Sequence, residues 1–410
     1  MPVRLPIYLD YNATTPVDPR VVAAMLPCFT EHFGNAASRT HAFGRRAAEA
    51  VEAARGQVAR LLGADPREVV FTSGATESVN LAIKGVALAR RERGHHIITC
   101  LTEHKAVLDT CRRLEDDGFA VTRLKPDACG RVSPEQVRDA MTDQTILVTL
   151  MAANNETGTH HPLAAIAEVT QARGVLFHTD ATQAAGKVPA DVSAWGVDLA
   201  SVSAHKMYGP KGVGALVVCR RGPRIRLVSQ MDGGGHESGL RSGTLNVPGI
   251  VGFGAAAEIA RAEMPAEAAR LAALRDRLYR GLEQEAGLVT LNGHPTERLP
   301  NTVNLAFAHV DAESLLERLP EVAVSTGSAC TSAVLEPSHV LRAMDVPEDL
   351  ALGSVRFSVG RFTTAAEIEA AIAAVARAVR ETRAANPLYA AAVGGSRRCN
   401  CEGGTCSPSA

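Results

Sequence analysis

Aromatic residues make up only 4% of the 410-residue sequence, with a single tryptophan. A core short of large rings must be filled by aliphatic side chains and by closely packed, alanine-rich helices. Charge of one sign is also lacking. The 43 basic and 44 acidic residues leave a formal net charge of −1, so electrostatics give no reason to expect nucleic acid or an anionic membrane as the main partner. No apolar run approaches bilayer length. The N-terminal Pro2-Val3-Arg4-Leu5-Pro6 lacks the apolar core of a signal peptide, and acidic Asp10 follows soon after. The nine cysteines are odd in number and scattered, so a disulfide framework is not expected and a reducing cytoplasm is. With 35 glycines and 21 prolines, collagen-like and low-complexity readings fail. Apolar residues at 46% against 21% charged describe a folded protein long enough for more than one domain.

Within residues 68–220, short apolar runs at 68–71, 96–100, 145–150, 175–178, 198–202 and 214–218 read as buried strands. Helix-length stretches at 78–91, 106–117 and 163–173 separate them. Strand–helix alternation predicts an α/β fold, a largely parallel sheet with helices on both faces. Ligands on such sheets sit beyond the carboxyl ends of the strands. Farther on, an Ala/Glu/Arg-rich helix over 264–285 joins a smaller α+β region, with strands at 301–307 and 354–359 and a helix from 364 to about 384.

The strand ends carry the chemistry. After Phe71 comes Thr72-Ser73-Gly74-Ala75-Thr76-Glu77-Ser78, a helix start whose N–H groups and hydroxyls suit a phosphate, or simply an N-cap. Thr102-Glu103-His104-Lys105 offers a histidine able to stack on a flat ring or move a proton, though a lone histidine is more often just packed. Asn154-Asn155 follows the next strand, as turn formers or as ligand donors. Asp180, in His178-Thr179-Asp180-Ala181-Thr182-Gln183, is costly to bury unless a cation or a helix N-terminus meets it. Lys206, between Ser203-Ala204-His205 and Met207-Tyr208-Gly209, is a candidate Schiff-base amine, although most lysines are only solvated charges. Each feature alone is weak. Together, at one edge of one sheet, they match pyridoxal phosphate, which needs a lysine imine, an acid for its ring nitrogen and a phosphate cradle.

Three further stretches stand out. Gly233-Gly234-Gly235-His236-Glu237-Ser238-Gly239-Leu240-Arg241-Ser242-Gly243-Thr244 either wraps a phosphate or is a plain loop. Ser325-Thr326-Gly327-Ser328-Ala329-Cys330-Thr331-Ser332-Ala333 sets one thiol among small residues, a placement that leaves it accessible for attack or merely a bystander. Arg356 either clamps a carboxylate or makes a structural ion pair.

The combination of Tyr8-Leu9-Asp10-Tyr11-Asn12-Ala13-Thr14-Thr15-Pro16 with residues 73–78, 102–105, 205–212, 241–244 and 327–332 closely resembles the cysteine desulfurases of the IscS/NifS type, in the class-V aminotransferase family. The likeness runs over about residues 7–385. It implies a pyridoxal-5′-phosphate-dependent transferase of fold type I, with a mostly parallel seven-stranded sheet and a smaller α+β domain. Lys206 would hold the cofactor, Asp180 would pair with the ring nitrogen, and Gln183 would bond the ring hydroxyl. His104 would stack and transfer protons. Ala75, Thr76, Ser203 and His205 would bind the phosphate, with Thr244 reaching the other subunit's phosphate in a homodimer. Asn155 and Arg356 would hold the carboxylate of L-cysteine. Cys330 would take the sulfur as a persulfide, releasing L-alanine, and pass it to an iron–sulfur scaffold or another acceptor protein. No resident metal is implied, Cys330 being able to contact a transferred iron–sulfur cluster. A selenocysteine lyase, or a desulfurase dedicated to tRNA or DNA thio-modification, is the alternative.

The expected division is a large cofactor-binding domain over 18–262, a small domain from 1–17 and 263–385 carrying the cysteine loop, and a flexible tail over 386–410. Two features depart from the family. Gly34-Asn35-Ala36-Ala37 lacks the proline that commonly follows that asparagine, and the tail carries Cys399, Cys401 and Cys406, one short of a full zinc set. That tail is expected to relay sulfur or touch a partner. Cutting the chain before Cys399 should slow transfer to an acceptor and spare alanine formation; equal transfer by the shortened chain would discard the role.

Overall fold

The structure is a computed structural model, described for residues 3–220, 222, 224–326, 337–386 and 389. Twelve strands follow in chain order: β1 (Ile7–Tyr8), β2 (Val69–Thr72), β3 (His96–Cys100), β4 (Ala120–Leu124), β5 (Thr145–Thr149), β6 (Leu176–Asp180), β7 (Leu199–Ser203), β8 (Gly214–Val218), β9 (Val289–Asn292), β10 (Thr302–Phe307), β11 (Val322–Ala323) and β12 (Ser354–Ser358). Seven of them form the central sheet, in the order β2-β8-β7-β6-β5-β3-β4. Every pairing is parallel except those of β8, which runs antiparallel to both β2 and β7. β4 was not among the expected runs. It lies at the sheet edge, passes from exposed Ala120 through half-buried residues to buried Leu124, and includes Thr122 and Arg123, so it has no continuous apolar stretch.

Neighbouring residues on each central strand feed different cores. Ile97, Leu176, Leu199 and Leu216 pack under the helices Ala75–Ala89 and Lys105–Asp116. Ile98, Phe177, Ala200 and Ala215 face the other way, toward the helix Ala42–Leu61 and the first half of the helix Val247–Ala286. The shortage of aromatics is met by close approach: a Cβ on Gly254 would lie 2.7 Å from the Cα of Ala54. A side chain there would force these two helices apart.

The helix expected over 264–285 is the second half of a single 40-residue helix, Val247–Ala286. Glycines at 249, 252 and 254 lower helix propensity in its first half, and tertiary packing overrides that. Along its length the buried face changes company. Ile250, Phe253 and Ala257 belong to the large core, whereas Leu271, Leu274, Leu278 and Leu282 join a separate cluster with β10, β12 and the helix Ala365–Ala385. Ile7 and Leu9, although N-terminal, lie in that second cluster, because β1 pairs in parallel with β11. Without its proline, the segment at Asn35 still turns: Asn35 Oδ1 accepts from Ala37 N at 2.9 Å and its carbonyl from Ser38 N at 3.0 Å.

Candidate active site

The sheet brings the carboxyl ends of six strands, β2 to β7, to one edge. β2 runs into Gly74, whose φ of +153° disfavours any other residue, and then into the helix Ala75–Ala89. That helix has no side-chain cap, unlike the helices starting at Ala42, Lys105, Val247 and Ala365. Its first N–H groups are left for an anion. Buried Ser203, at the end of β7, faces this opening, its Oγ 3.8 Å from where a Cβ on Gly74 would stand. Ala75 and Thr76 open the helix, and Thr76 is exposed. Glu77 holds the rim, accepting from Ser73 N at 2.7 Å and from Arg241 Nε at 2.8 Å.

Lys206 ends a short 3₁₀ turn, Ala204–Lys206, directly after β7. Its Nζ donates to the carbonyls of Asn12 and Ala13, both at 2.6 Å. His205 shares a hydrogen bond with Thr14 Oγ1 at 3.1 Å. Burial, reinforced by the charges of Lys206, Lys211 and Lys187, pushes its imidazolium down to about 4, leaving a neutral ring near pH 7. Asp180 ends β6 and is 7% exposed; its Oδ1 accepts from Thr182 N at 3.0 Å. Gln183, one turn farther on, donates from Nε2 to the Asn12 carbonyl at 3.0 Å.

His104 caps the helix Lys105–Asp116, accepting at Nδ1 from Ala106 N at 3.1 Å. This assigns the proton of the neutral ring to Nε2, the atom left for proton traffic, and the ring itself is exposed. Next to it in the chain Glu103 is fully buried, with Oε1 accepting from Met151 N at 2.7 Å and Oε2 without a partner among the described residues. Burial and, less strongly, the negative Asp180 raise its carboxyl well above the usual range.

Arg356 on β12 is 5% exposed, donates to the Asn155 carbonyl at 3.1 Å and pairs with Asp10 at 2.6 Å. Its buried Nε has no partner among the described residues, which leaves a donor for a further anion. The Asn155 carbonyl also accepts from Asn12 Nδ2 at 3.1 Å. Asn12 therefore joins the amine and the guanidinium, through its own carbonyl on one side and Asn155 on the other. The sequence assigns no role to Asn12, Asp10, Glu103 or Lys187, although all but Lys187 lie within the motifs named above. Their signal is polarity inside otherwise buried stretches, which becomes a contact only in three dimensions.

Thr244 is exposed at the end of the glycine-rich loop. The loop is pinned by Glu237, which takes Arg55 at 2.8 Å and Phe71 N at 2.7 Å, at a φ of +49°. Cys330, like the tail cysteines 399, 401 and 406, lies outside the described residues. On either side of that segment, Ser325 pairs with the backbone of Arg356, and Ser338 donates to Glu156 at 2.5 Å. The cysteines at 28, 100, 111, 129 and 219 are free thiols.

His178, two residues before Asp180, is buried between Thr149 Oγ1 at 2.8 Å and Ser201 Oγ at 2.9 Å. Burial holds its pKa down at about 4, against 6.5 unperturbed. The unfolded chain thus binds the extra proton first. The stability from neutral His178 is complete above about pH 6.5 and is lost as pH falls toward 4, by about 3 kcal/mol. Apoprotein melting scans over that interval should show His178→Gln losing less stability on acidification than the parent; parallel curves would refute it.

An uncapped helix beside Ser203 and His205, a strand-end carboxylate and an amine next to them suit the phosphate, ring nitrogen and aldehyde of pyridoxal phosphate. The fold and site are those of a pyridoxal-phosphate enzyme of fold type I. The aminotransferase class-V family model matches residues 7–371. The chain is 60% identical over 387 residues to the "Cysteine desulfurase IscS" of Anaeromyxobacter dehalogenans, covering 94% of this chain and 96% of that one. It is 56% identical over 389 residues to the protein of that name from Shewanella baltica, with the same coverage. Among solved structures, a "NIFS-LIKE PROTEIN" superposes with a TM-score of 0.85 at 38% identity, over 92% of this chain and all of that one. DndA from Streptomyces lividans superposes with a TM-score of 0.74 at 44% identity, over 84% of this chain and 97% of that one. The chain belongs to the class-V aminotransferase family.

Proposed function

We propose that this chain is a cysteine desulfurase of the IscS/NifS type, taking sulfur from L-cysteine, releasing L-alanine and handing the sulfur to an acceptor protein. The observation that carries the reading is the hub at Asn12, which sets an amine, Lys206, and a carboxylate clamp, Arg356, on one hydrogen-bonded chain. A free α-amino acid presents those two complementary groups, an amine and a carboxylate.

Bound pyridoxal phosphate supplies an electron sink for negative charge developing at the substrate Cα. Lys206 would hold the cofactor, Asp180 would pair with the ring nitrogen and Gln183 with the ring hydroxyl. Ala75, Thr76, Ser203 and neutral His205 would bind the phosphate through N–H and O–H donors. Arg356 and Asn155 orient the carboxylate, so that the Cα proton lies within reach of a base. His104 Nε2 moves protons at the sulfur and the ring face. The Cys330 thiolate attacks the substrate sulfur; an S–S bond forms as the C–S bond breaks, and a proton restores the methyl group of alanine.

Arg356→Lys keeps the charge and loses the planar fork, so KM for cysteine should rise roughly 10- to 100-fold with less change in kcat. Steady-state kinetics check this, and an unaltered KM would remove Arg356 from the carboxylate site.

A homodimer is part of the proposal, with Thr244 reaching the partner's cofactor phosphate. Thr244 is exposed, and so are Leu26 at 59%, Phe29 at 59%, Phe33 at 63% and Phe43 at 54%, an unusual amount of apolar surface for a lone chain. The division into 18–262 against 1–17 and 263–385 is likewise proposed, supported by the separate apolar clusters. No helix among the described residues is long and apolar enough to cross a membrane. A cytoplasmic setting without nucleic-acid partners follows as a proposal from the balanced charge and the free thiols.

The test is incubation of holoenzyme with cysteine, mass-spectrometric detection of a persulfide on Cys330, and transfer of labelled sulfur to candidate acceptors. Transfer to an iron–sulfur scaffold is the expected result. A second reading, a desulfurase serving tRNA or DNA thio-modification, is supported by the likeness to DndA and predicts a different acceptor.

A further inference from the structure

Lys187 is buried, and the catalytic scheme above makes no use of it. It stands four residues after Gln183, in the turns that follow β6, and is 8% exposed. Its Nζ donates to Gln183 Oε1 at 2.6 Å and lies 3.5 Å from Asn12 Oδ1. Burial, with the positive Lys206 and Arg356 nearby and a weaker opposing pull from Glu267, holds its ammonium well below the usual lysine range. An amine placed there costs desolvation that a methionine of similar length would avoid.

The network shows what the amine does. An amide side chain can sit in either of two flips that fill the same space with oxygen and nitrogen exchanged. Here Gln183 turns its oxygen to Lys187 and its nitrogen to the Asn12 carbonyl. The flipped form would set Nε2 against the lysine N–H groups and Oε1 against a carbonyl oxygen, opposing like ends at both contacts. The Asn12 carbonyl at the end of this chain is the one that accepts from Lys206 at 2.6 Å.

We propose that Lys187 is a positioning residue of the cofactor site: by donating to Gln183 Oε1 it locks the amide so that Nε2 is the group presented to Asn12 and to the cofactor's ring hydroxyl. This rests on the reading of Lys206 and Gln183 as cofactor residues. An amide donor at the ring hydroxyl favours its ionised form and so lowers the pH at which the lysine-bound cofactor loses its proton. Losing that donor moves the midpoint up.

The test uses purified holoenzyme carrying Lys187→Met, Gln183→Ala, or both, and follows the visible band of the lysine-bound cofactor against pH together with the rate of cofactor release. Lys187→Met should raise the midpoint by roughly half to one pH unit and speed release roughly fivefold to tenfold, the effect of one hydrogen bond. In the Gln183→Ala background the same substitution should add almost nothing, since the residue acts through that amide. Lys187→Gln, which keeps an N–H donor, should fall between parent and Lys187→Met, and it serves alone if the methionine variant does not fold. Equal shifts with and without Gln183, or an unmoved midpoint, would overturn the proposal. A borohydride adduct persisting in Lys206→Ala would instead sink the underlying assignment of the site.

Discussion

Lys206→Ala protein is expected to bind pyridoxal phosphate without a covalent link, to leave no peptide adduct after borohydride reduction, and to turn over cysteine at least roughly 10³-fold more slowly. The argument is geometric. Lys206 ends a rigid turn fixed by β7, and its Nζ reaches two backbone carbonyls of the N-terminal segment. Folding should survive the change, because the Asn12 carbonyl keeps Gln183 as donor when the bond from Lys206 is lost. Melting temperature should therefore move little while the chromophore disappears. The competing amine is Lys187, which is buried and bonded to Gln183. Peptide mapping that put the adduct at Lys187 would reverse the two roles.

Cys330→Ala should leave cofactor binding and the cysteine-induced spectral change intact while abolishing the persulfide and lowering alanine formation at least roughly 10³-fold. The substrate sulfur needs a nucleophile to leave, and the buried thiols Cys100 and Cys111 are poorly suited. Burial pushes both Cys100 and Cys111 up to about 12, so almost no thiolate forms there near neutral pH. Release of alanine from cysteine at an unchanged rate would exclude the persulfide route. A variant that still cleaves selenocysteine would point instead to a lyase whose selenium leaves without help.

Much of the site was legible because one-dimensional order maps onto it simply. In a parallel sheet each strand delivers its last residue to the same edge, so Thr72, Asp180 and Ser203 could be aligned as soon as the strands were marked. Glycine before Ala75 and lysine after His205 are likewise readable from neighbours in the chain. Long-range partners are another matter. Asn12, some 140 residues from Asn155 and 190 from Lys206, joins the site because β1 crosses to pair with β11 and carries the next residues against β12. Arg356 could be read from sequence as a clamp or as an ion pair; the structure gives it Asp10 as partner and still leaves Nε open.

What the sequence by itself determined was the strand–helix alternation, the polar residues at strand ends and the kind of chemistry they allow. These follow from local propensity and from the period of apolar residues, which act between near neighbours. Only the tertiary structure decided that β8 runs backwards, that one helix serves two cores, that burial raises the Glu103 carboxyl above its usual range, and that Lys187 and Asn12 sit behind the reactive amine. Each of these depends on burial or on contacts between distant segments. Desolvation and long-range hydrogen bonding have no counterpart in the spacing of residues along a chain.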